Sequence, residues 1–241
     1  MIQKTFINKL LYLARDFRSK EVFRALKQYC RGDVLDVGGW DFYLTAKKEK
    51  LNFNTWTTLE YSPEELLDIK DECFRAVRGD GCNMQFEDNQ FDVVINIQVL
   101  EHVFEPMKMI NEISRVLKPN GYGIFLIPQT AVLHMIPDHY YNFTKFWVKK
   151  AMEEAGLKIL ELKPLGGIWS SMASHLVYFF LQSFRYEVVS IKDIKRNFLF
   201  YILFPLMALY ALISIPICMF LSLGDLAEEP NNHLVVVKKY R

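Results

Sequence analysis

The chain of 241 residues has only four cysteines, Cys30, Cys73, Cys82 and Cys218, and no two of them form a C-x-x-C pair. Neither a structural zinc site nor a disulfide framework is expected, and reduced thiols in a cytosolic compartment are the simpler reading. No other set of His, Cys and acidic residues has metal-ligand spacing, so no metal is expected. A surplus of basic charge is also missing: 29 Lys/Arg stand against 28 Asp/Glu. The resulting net charge of +1 argues against a nucleic-acid binder with a broad basic face. Nor is there a G-x-G-x-x-G turn. The first strand-like segment ends in Asp36-Val37-Gly38-Gly39-Trp40-Asp41, where acids on both sides would repel a pyrophosphate and suit a cationic ligand, which sets nicotinamide dinucleotides aside. No repeat or low-complexity tract is visible. The N-terminus does not read as a secretory signal, because charges interrupt its apolar positions throughout.

What is present is a composition that is 51% hydrophobic and 15% aromatic, enough for a packed core. Residues 1–31 hold eight Lys/Arg against two acids, and Ile2, Phe6, Leu10, Leu13 and Phe17 recur at helical spacing. They form either a helix covering an edge of the domain or a basic amphipathic helix on an anionic membrane surface. From residue 32 to 165 short apolar strands alternate with helical stretches, the pattern of a parallel sheet covered on both faces. Ser62-Pro63-Glu64-Glu65 reads as a capping box opening a helix. Asp92, which opens a strand rather than ending one, reads as structural. Residues 166–229 break the rhythm: Ile168–Phe184 lacks Lys, Arg, Asp and Glu, and Phe198–Leu223 runs 26 residues without a charge. Residues 230–241 supply one more strand.

In an open parallel sheet, ligands bind beyond the carboxyl ends of the strands. The polar residues there are Asp36 with Gly38 and Gly39, then Glu60, then Asp80, then Asn96 and Gln98. An acid after the second strand can accept both hydroxyls of a ribose. The segments Val34–Gly39, Glu60, Gly79-Asp80, Phe86–Val94, Val99–Val103 and Arg115–Gly121, in this order, resemble the class I S-adenosylmethionine-dependent methyltransferases over residues 30–165. Trp40 stands where that family usually has a second glycine. The resemblance implies an α/β, Rossmann-like sheet, mostly parallel with an antiparallel last strand, here with a hydrophobic helical insertion before that strand. It also implies that Asp36 and Gly38, with Gly39, border the methionine part of S-adenosyl-L-methionine, that Glu60 holds the ribose, that Asp80 and Gly81 meet the adenine, and that Asn96 and Gln98 lie near the sulfonium.

Methyl transfer to a hydroxyl calls for a base, and histidine titrates in the right range. The stretch His134 to Thr144 resembles one in methyltransferases of cell-surface polysaccharide synthesis, with His139 and Asn142 replacing the usual Asp and Arg. It implies His139 or His134 as base, with Tyr140, Tyr141, Asn142 and His102 around the acceptor. The uncharged run exceeds the length that spans a bilayer, but Pro205 and Pro216 are expected to kink or end a helix there. A single span would put the final strand on the wrong side of the membrane, whereas a shallow hairpin in one leaflet, a buried helical cap and a dimer interface all keep it with the sheet; all four stay open. The basic residues Lys192, Lys195 and Arg196 favour the shallow hairpin, on the cytoplasmic face of a membrane. The expected function is O-methylation of a glycan, glycolipid or lipid-linked saccharide. The alternatives are a methyltransferase for a membrane-dissolved quinone or lipid, and a non-catalytic scaffold. No nucleic-acid partner is expected, and an oligomer remains open.

Overall fold

The structure, a computed structural model, describes residues 19–184 and 195–240. The periodic stretch Ile2 to Phe17 and the basic residues Arg185 and Lys192 lie outside them. Seven strands form one sheet: β1 Asp33–Val37, β2 Thr55–Glu60, β3 Phe74–Arg78, β4 Phe91–Ile97, β5 Leu117–Pro128, β6 Leu157–Leu165 and β7 Asn232–Lys239, in the order β3-β2-β1-β4-β5-β7-β6. The first five are parallel, while β7 runs antiparallel to both β5 and β6. The order reverses between β1 and β4, which places a ligand crevice beyond their carboxyl ends.

Period-two alternation supplies both faces of the core. Val34, Val93, Ile95 and Ile124 point to one side, where they meet Val22, Ala25 and Leu26 of α1 (residues 19–29) and Tyr43 and Ala46 of α2 (Phe42–Lys48). Leu35, Val94 and Phe125 point to the other, against Met109, Ile110 and Ile113 of α3 (Pro106–Val116) and Val148 and Met152 of α4 (Lys145–Glu154). The described part of α1 therefore covers a sheet face. Two ion pairs tie it to β6, Arg24 with Glu161 and Glu21 with Lys163. Arg115 fastens the 84–88 loop to α3 by donating to the carbonyls of Met84 and Phe86 while pairing with Asp88 and Glu112.

Two expectations are corrected. Ser62 makes no capping bond, and the helix after it is a single 3₁₀ turn, Pro63–Glu65. Leu66 turns extended, and Ile69 then reaches the aromatic cluster around Tyr43 and Trp56 on the short way to β3. The prolines of the uncharged run do not divide it either. They lie inside one helix, α6 (Phe198–Leu221), about a third and four-fifths of the way along it, leaving 206–215 uninterrupted. The hairpin is instead made by α5 (Ile168–Ser183) and α6. At its base, Ile168 N–H donates to the Leu226 carbonyl and Asp225 accepts from the N–H groups of Trp169 and Ser170. At its far end, Arg196 donates to the Gln182 carbonyl and Phe204 packs on Phe179 and Phe184. The two helices thus run antiparallel and return the chain to β7, between β5 and β6.

Candidate functional site

The turn after β1 is built around two buried acids. Asp36 is 1% exposed, and its Oδ2 has no hydrogen-bond partner among the described residues. Burial, then the neighbouring charge of Glu60, push its carboxyl well above the ordinary range. A Cβ on Gly39 would sit 2.0 Å from that Oδ2, so only glycine leaves room for the carboxylate. Gly38, at φ +70°, has the left-handed conformation that turns the chain away from the strand. Glu60, 2% exposed at the end of β2, accepts from the Trp40 N–H at 2.6 Å. Burial pushes its carboxyl up to about 7, against the opposing pull of the Trp40 and Gly39 N–H groups. Trp40 itself is 56% exposed.

Asn96 is fully buried, with its amide NH₂ 3.5 Å from the Met109 sulfur and its Oδ1 without a partner among the described residues. Gly81 also packs on Met109, whose terminal methyl would have to move to admit a Cβ. Asp80 is exposed and closes its own loop by accepting from Cys82 N–H at 2.8 Å. Gln98 is exposed and donates to Asn232 of β7 at 3.3 Å, so it faces the antiparallel side of the sheet rather than the β1 turn. The structure thus brings Asp36, Gly38, Gly39 and Glu60 into one crevice and links Asn96 with Gly81 beneath it. Gln98 belongs to the neighbouring rim.

On that rim the loop after β5 crosses the turn after β4. Tyr140 N–H donates to the Glu101 carbonyl at 2.8 Å and pins the loop. The polar groups expected around an acceptor are already used. Tyr140 OH donates to Asp138, and Tyr141 OH donates to the Phe104 carbonyl. Asn142 both accepts from and donates to the Ala131 backbone. They act as braces of the loop, because their partners lie within it or on the adjoining turn.

The three histidines His102, His134 and His139 gather here, with ring centroids 4.5 to 5.5 Å apart. His139 Nδ1 accepts from the His134 backbone N–H at 3.2 Å, so the neutral ring carries its proton on Nε2. Burial, helped by the other two rings, holds its pKa below the usual value. In this arrangement His139 has no spare lone pair. His134 does: its Nδ1 faces the Val132 carbonyl at 2.9 Å and must hold the proton, which leaves Nε2 bare. Beside them is Glu101, fully buried, with both carboxylate oxygens lacking partners among the described residues and its carboxyl pushed up to about 7 by burial. One ligand atom each from Glu101, His102 and His134 lie within 4.8 Å of one another. Sequence reading expected no such group, because Glu101-His102 and His134 are too far apart along the chain for any spacing rule.

Against this rim stands the apolar hairpin. Residues Phe198–Gly224 are apolar and long enough to cross a membrane, and only 6% of their 18-residue apolar window is buried. A groove of about 440 Å³ at the base of the hairpin, lined by Ile168, Met172, Leu176 and Tyr210, opens beside Thr130 at the end of β5.

Comparison with known proteins agrees with this architecture. Residues 35–125 match the family described as a methyltransferase domain. The ubiquinone biosynthesis O-methyltransferase of Parvibaculum lavamentivorans is 28% identical over 33% of this chain and 40% of its own length. The demethylmenaquinone methyltransferase of Staphylococcus haemolyticus is 28% identical over 53% of this chain and 56% of its own. The chain thus spans about half the length of these curated relatives. The crystal structure of an S-adenosylmethionine-dependent methyltransferase from Mesorhizobium loti superposes with a TM-score of 0.57 at 11% identity, covering 94% of this chain and all of that one. The buried, unpaired oxygens of Asp36 and Asn96 and the acid of Glu60 fit a ligand that brings hydroxyls and a cationic amine. The fold is that of a class I methyltransferase, and the match of residues 35–125 to the methyltransferase-domain family supports S-adenosylmethionine as the cofactor.

Proposed function

We propose that the protein is an S-adenosylmethionine-dependent methyltransferase that methylates a hydroxyl of a lipophilic, membrane-dissolved acceptor, at the cytoplasmic face of the membrane. The observation that carries this reading is the exposed apolar helix α6 at the edge of the catalytic rim. Sixteen-residue α5 is shorter than the ~20 residues a span needs, and β7 must return to the sheet, so the hairpin lies in one leaflet rather than crossing. The described basic residues Lys195 and Arg196 sit at its far end, where anionic headgroups would meet them.

When bound, the cofactor supplies an electrophilic methyl on a sulfonium. Asp36 and Glu60 would hold it through its amine and ribose hydroxyls, and Asn96 would offer its free Oδ1. The transfer is an in-line displacement, so the chain contributes mainly by positioning. The acceptor's hydroxyl must also lose its proton, and His134 Nε2 has the lone pair to take it, with the Glu101 carboxylate nearby to balance the charge. The loop's tyrosine, asparagine and aspartate groups are internally paired, which favours an acceptor with few hydroxyls over a saccharide. The relatives named ubiquinone biosynthesis O-methyltransferase and demethylmenaquinone methyltransferase favour a quinone-type acceptor as well.

Detergent-purified protein incubated with methyl-labelled cofactor and membrane extract tests the acceptor. Label in the organic, quinone-containing fraction is expected. Label confined to polar glycans would move the assignment to a lipid-linked saccharide. No transfer at all, from protein that binds the cofactor, would favour a scaffold. In parallel, flotation with anionic vesicles should carry the protein upward, and protein that stays at the bottom with every lipid composition would remove the membrane.

A further inference from the structure

We propose that Glu101, His102 and His134 form a binding site for a divalent transition-metal ion of borderline softness, such as zinc. The argument is one of lone pairs. His102 Nδ1 lies 2.6 Å from the Asp138 carbonyl and His134 Nδ1 lies 2.9 Å from the Val132 carbonyl. A carbonyl can only accept, so each ring carries its proton on Nδ1. The two Nε2 atoms, 3.1 Å apart, then face each other as bare acceptors. Glu101 Oε1 lies 3.9 Å from His102 Nε2, and it too is an acceptor with nothing to accept from.

Three electron-rich groups converge on one point, and a cation between them removes the mutual repulsion. The spacing agrees with coordination: with metal–nitrogen bonds of about 2.05 Å, two nitrogens in tetrahedral geometry stand ~3.3 Å apart, and at a right angle ~2.9 Å. Backbone carbonyls on the outer ring nitrogens are also the usual support of metal-bound histidine, because they fix tautomer and orientation. Two imidazoles and one carboxylate suit zinc, manganese or ferrous iron rather than calcium, which prefers oxygen alone. Three protein ligands leave an open position for water or for an acceptor oxygen. With the ion bound, His134 Nε2 is a ligand rather than a base, and lowering the acceptor hydroxyl's pKa falls to the ion. That last role rests on the methyltransferase reading, whereas the binding of the ion does not.

Binding is therefore measured without activity. Metal-free full-length protein in detergent is titrated with Zn²⁺ alone and with Co²⁺ alone, and metal content is determined after dialysis. One ion per chain and the visible absorption of nitrogen-coordinated cobalt are expected. His134→Ala and the isosteric Glu101→Gln should each weaken the affinity at least tenfold while circular dichroism and melting stay near those of the parent. Substoichiometric metal with no cobalt spectrum would overturn the proposal and leave a shared proton between the rings. Full retention of metal by both variants would overturn it as well, by placing the ion elsewhere.

Discussion

β1 and β4 each carry a polar group at both ends, and the fold treats the two ends in opposite ways. At the amino ends, Asp33 and Asp92 share the Lys118 ammonium at 3.4 and 2.7 Å. Asp92 also accepts from the Asp33 N–H, and Asp33 accepts from the Thr55 hydroxyl. Burial pushes Asp92 up, yet Lys118 and the Asp33 N–H outweigh it and hold its carboxyl below the ordinary range. At the carboxyl ends, three residues on in β1 and four in β4, Asp36 and Asn96 are deeper and have oxygens with no partner among the described residues. The same strands thus close one edge of the sheet with satisfied charge and leave the other in deficit. A buried unpaired acid costs stability, so its persistence marks the edge where a ligand completes the set.

Removing the acids of the deficient edge should have the largest effect. Glu60→Ala should lower the affinity for S-adenosylmethionine and S-adenosylhomocysteine at least ~100-fold by calorimetry, the loss of about two charge-assisted hydrogen bonds. Asp36→Asn should weaken the cofactor as well but raise the melting temperature of the empty protein, because it replaces a buried ionisable acid beside Glu60 with a neutral group. If Asp36→Asn melted lower than the parent, the acid would have a structural partner and the contrast between the edges would fail. The satisfied edge should respond in reverse. Lys118→Met should destabilise by about 1 kcal/mol, a modest figure because the pair is a third exposed, with cofactor affinity unchanged within twofold.

The acids also give the contrast a pH signature. Glu60 titrates near 7 in the folded chain and near 4.5 when unfolded, so between those values the native state holds the extra proton. Its favourable contribution is complete below about pH 4.5 and is lost as pH rises through 7. The empty protein should therefore melt several degrees lower at pH 8 than at pH 5.5. If the carboxylate is the form that holds the ribose, cofactor affinity moves the other way and tightens between pH 6 and 8. Glu60→Gln should flatten the affinity profile and reduce the slope of the melting profile, to which Glu101, also pushed up to about 7, still contributes, and a pH-independent dissociation constant in the parent would assign the ribose to another group.

Where the sequence was legible, it was because position alone decides the outcome. The strand-end rule led to Asp36 and Glu60, which the structure buries side by side at the β1 turn, but also to Asp80, which closes its own loop, and to Gln98, which bonds to β7 instead. The strands themselves followed from paired residues such as Val34-Leu35 and Val93-Val94, which divide between the two core faces. What the sequence hid depends on partners rather than position. Tyr140, Tyr141 and Asn142 have the residue types of a binding loop, but their partners Asp138, Phe104 and Ala131 turn them into braces. His139 looks like a base until the His134 N–H occupies its lone pair. Glu101, His102 and His134 meet only because the loop after β5 folds over the turn after β4. Pro205 and Pro216, expected to kink or end a helix, lie inside the one helix α6, and the chain bends between α5 and α6 instead.

The smallest expected effect belongs to Trp40, the departure from the family's glycine. Its backbone sits at φ +45°, a region that costs a bulky side chain roughly 1 kcal/mol, and the residue is 56% exposed. What the site uses is the backbone N–H, which donates to Glu60 and remains in any replacement except proline. Trp40→Gly should thus relieve strain and gain up to ~1 kcal/mol of stability, less the entropy glycine adds to the unfolded chain. Cofactor affinity should stay within threefold, because neither the acid nor its donor has changed. A much larger rise in affinity would mean that the indole shields the crevice in solution. A tenfold loss would make the ring itself part of the binding surface, stacked where the family's glycine leaves space.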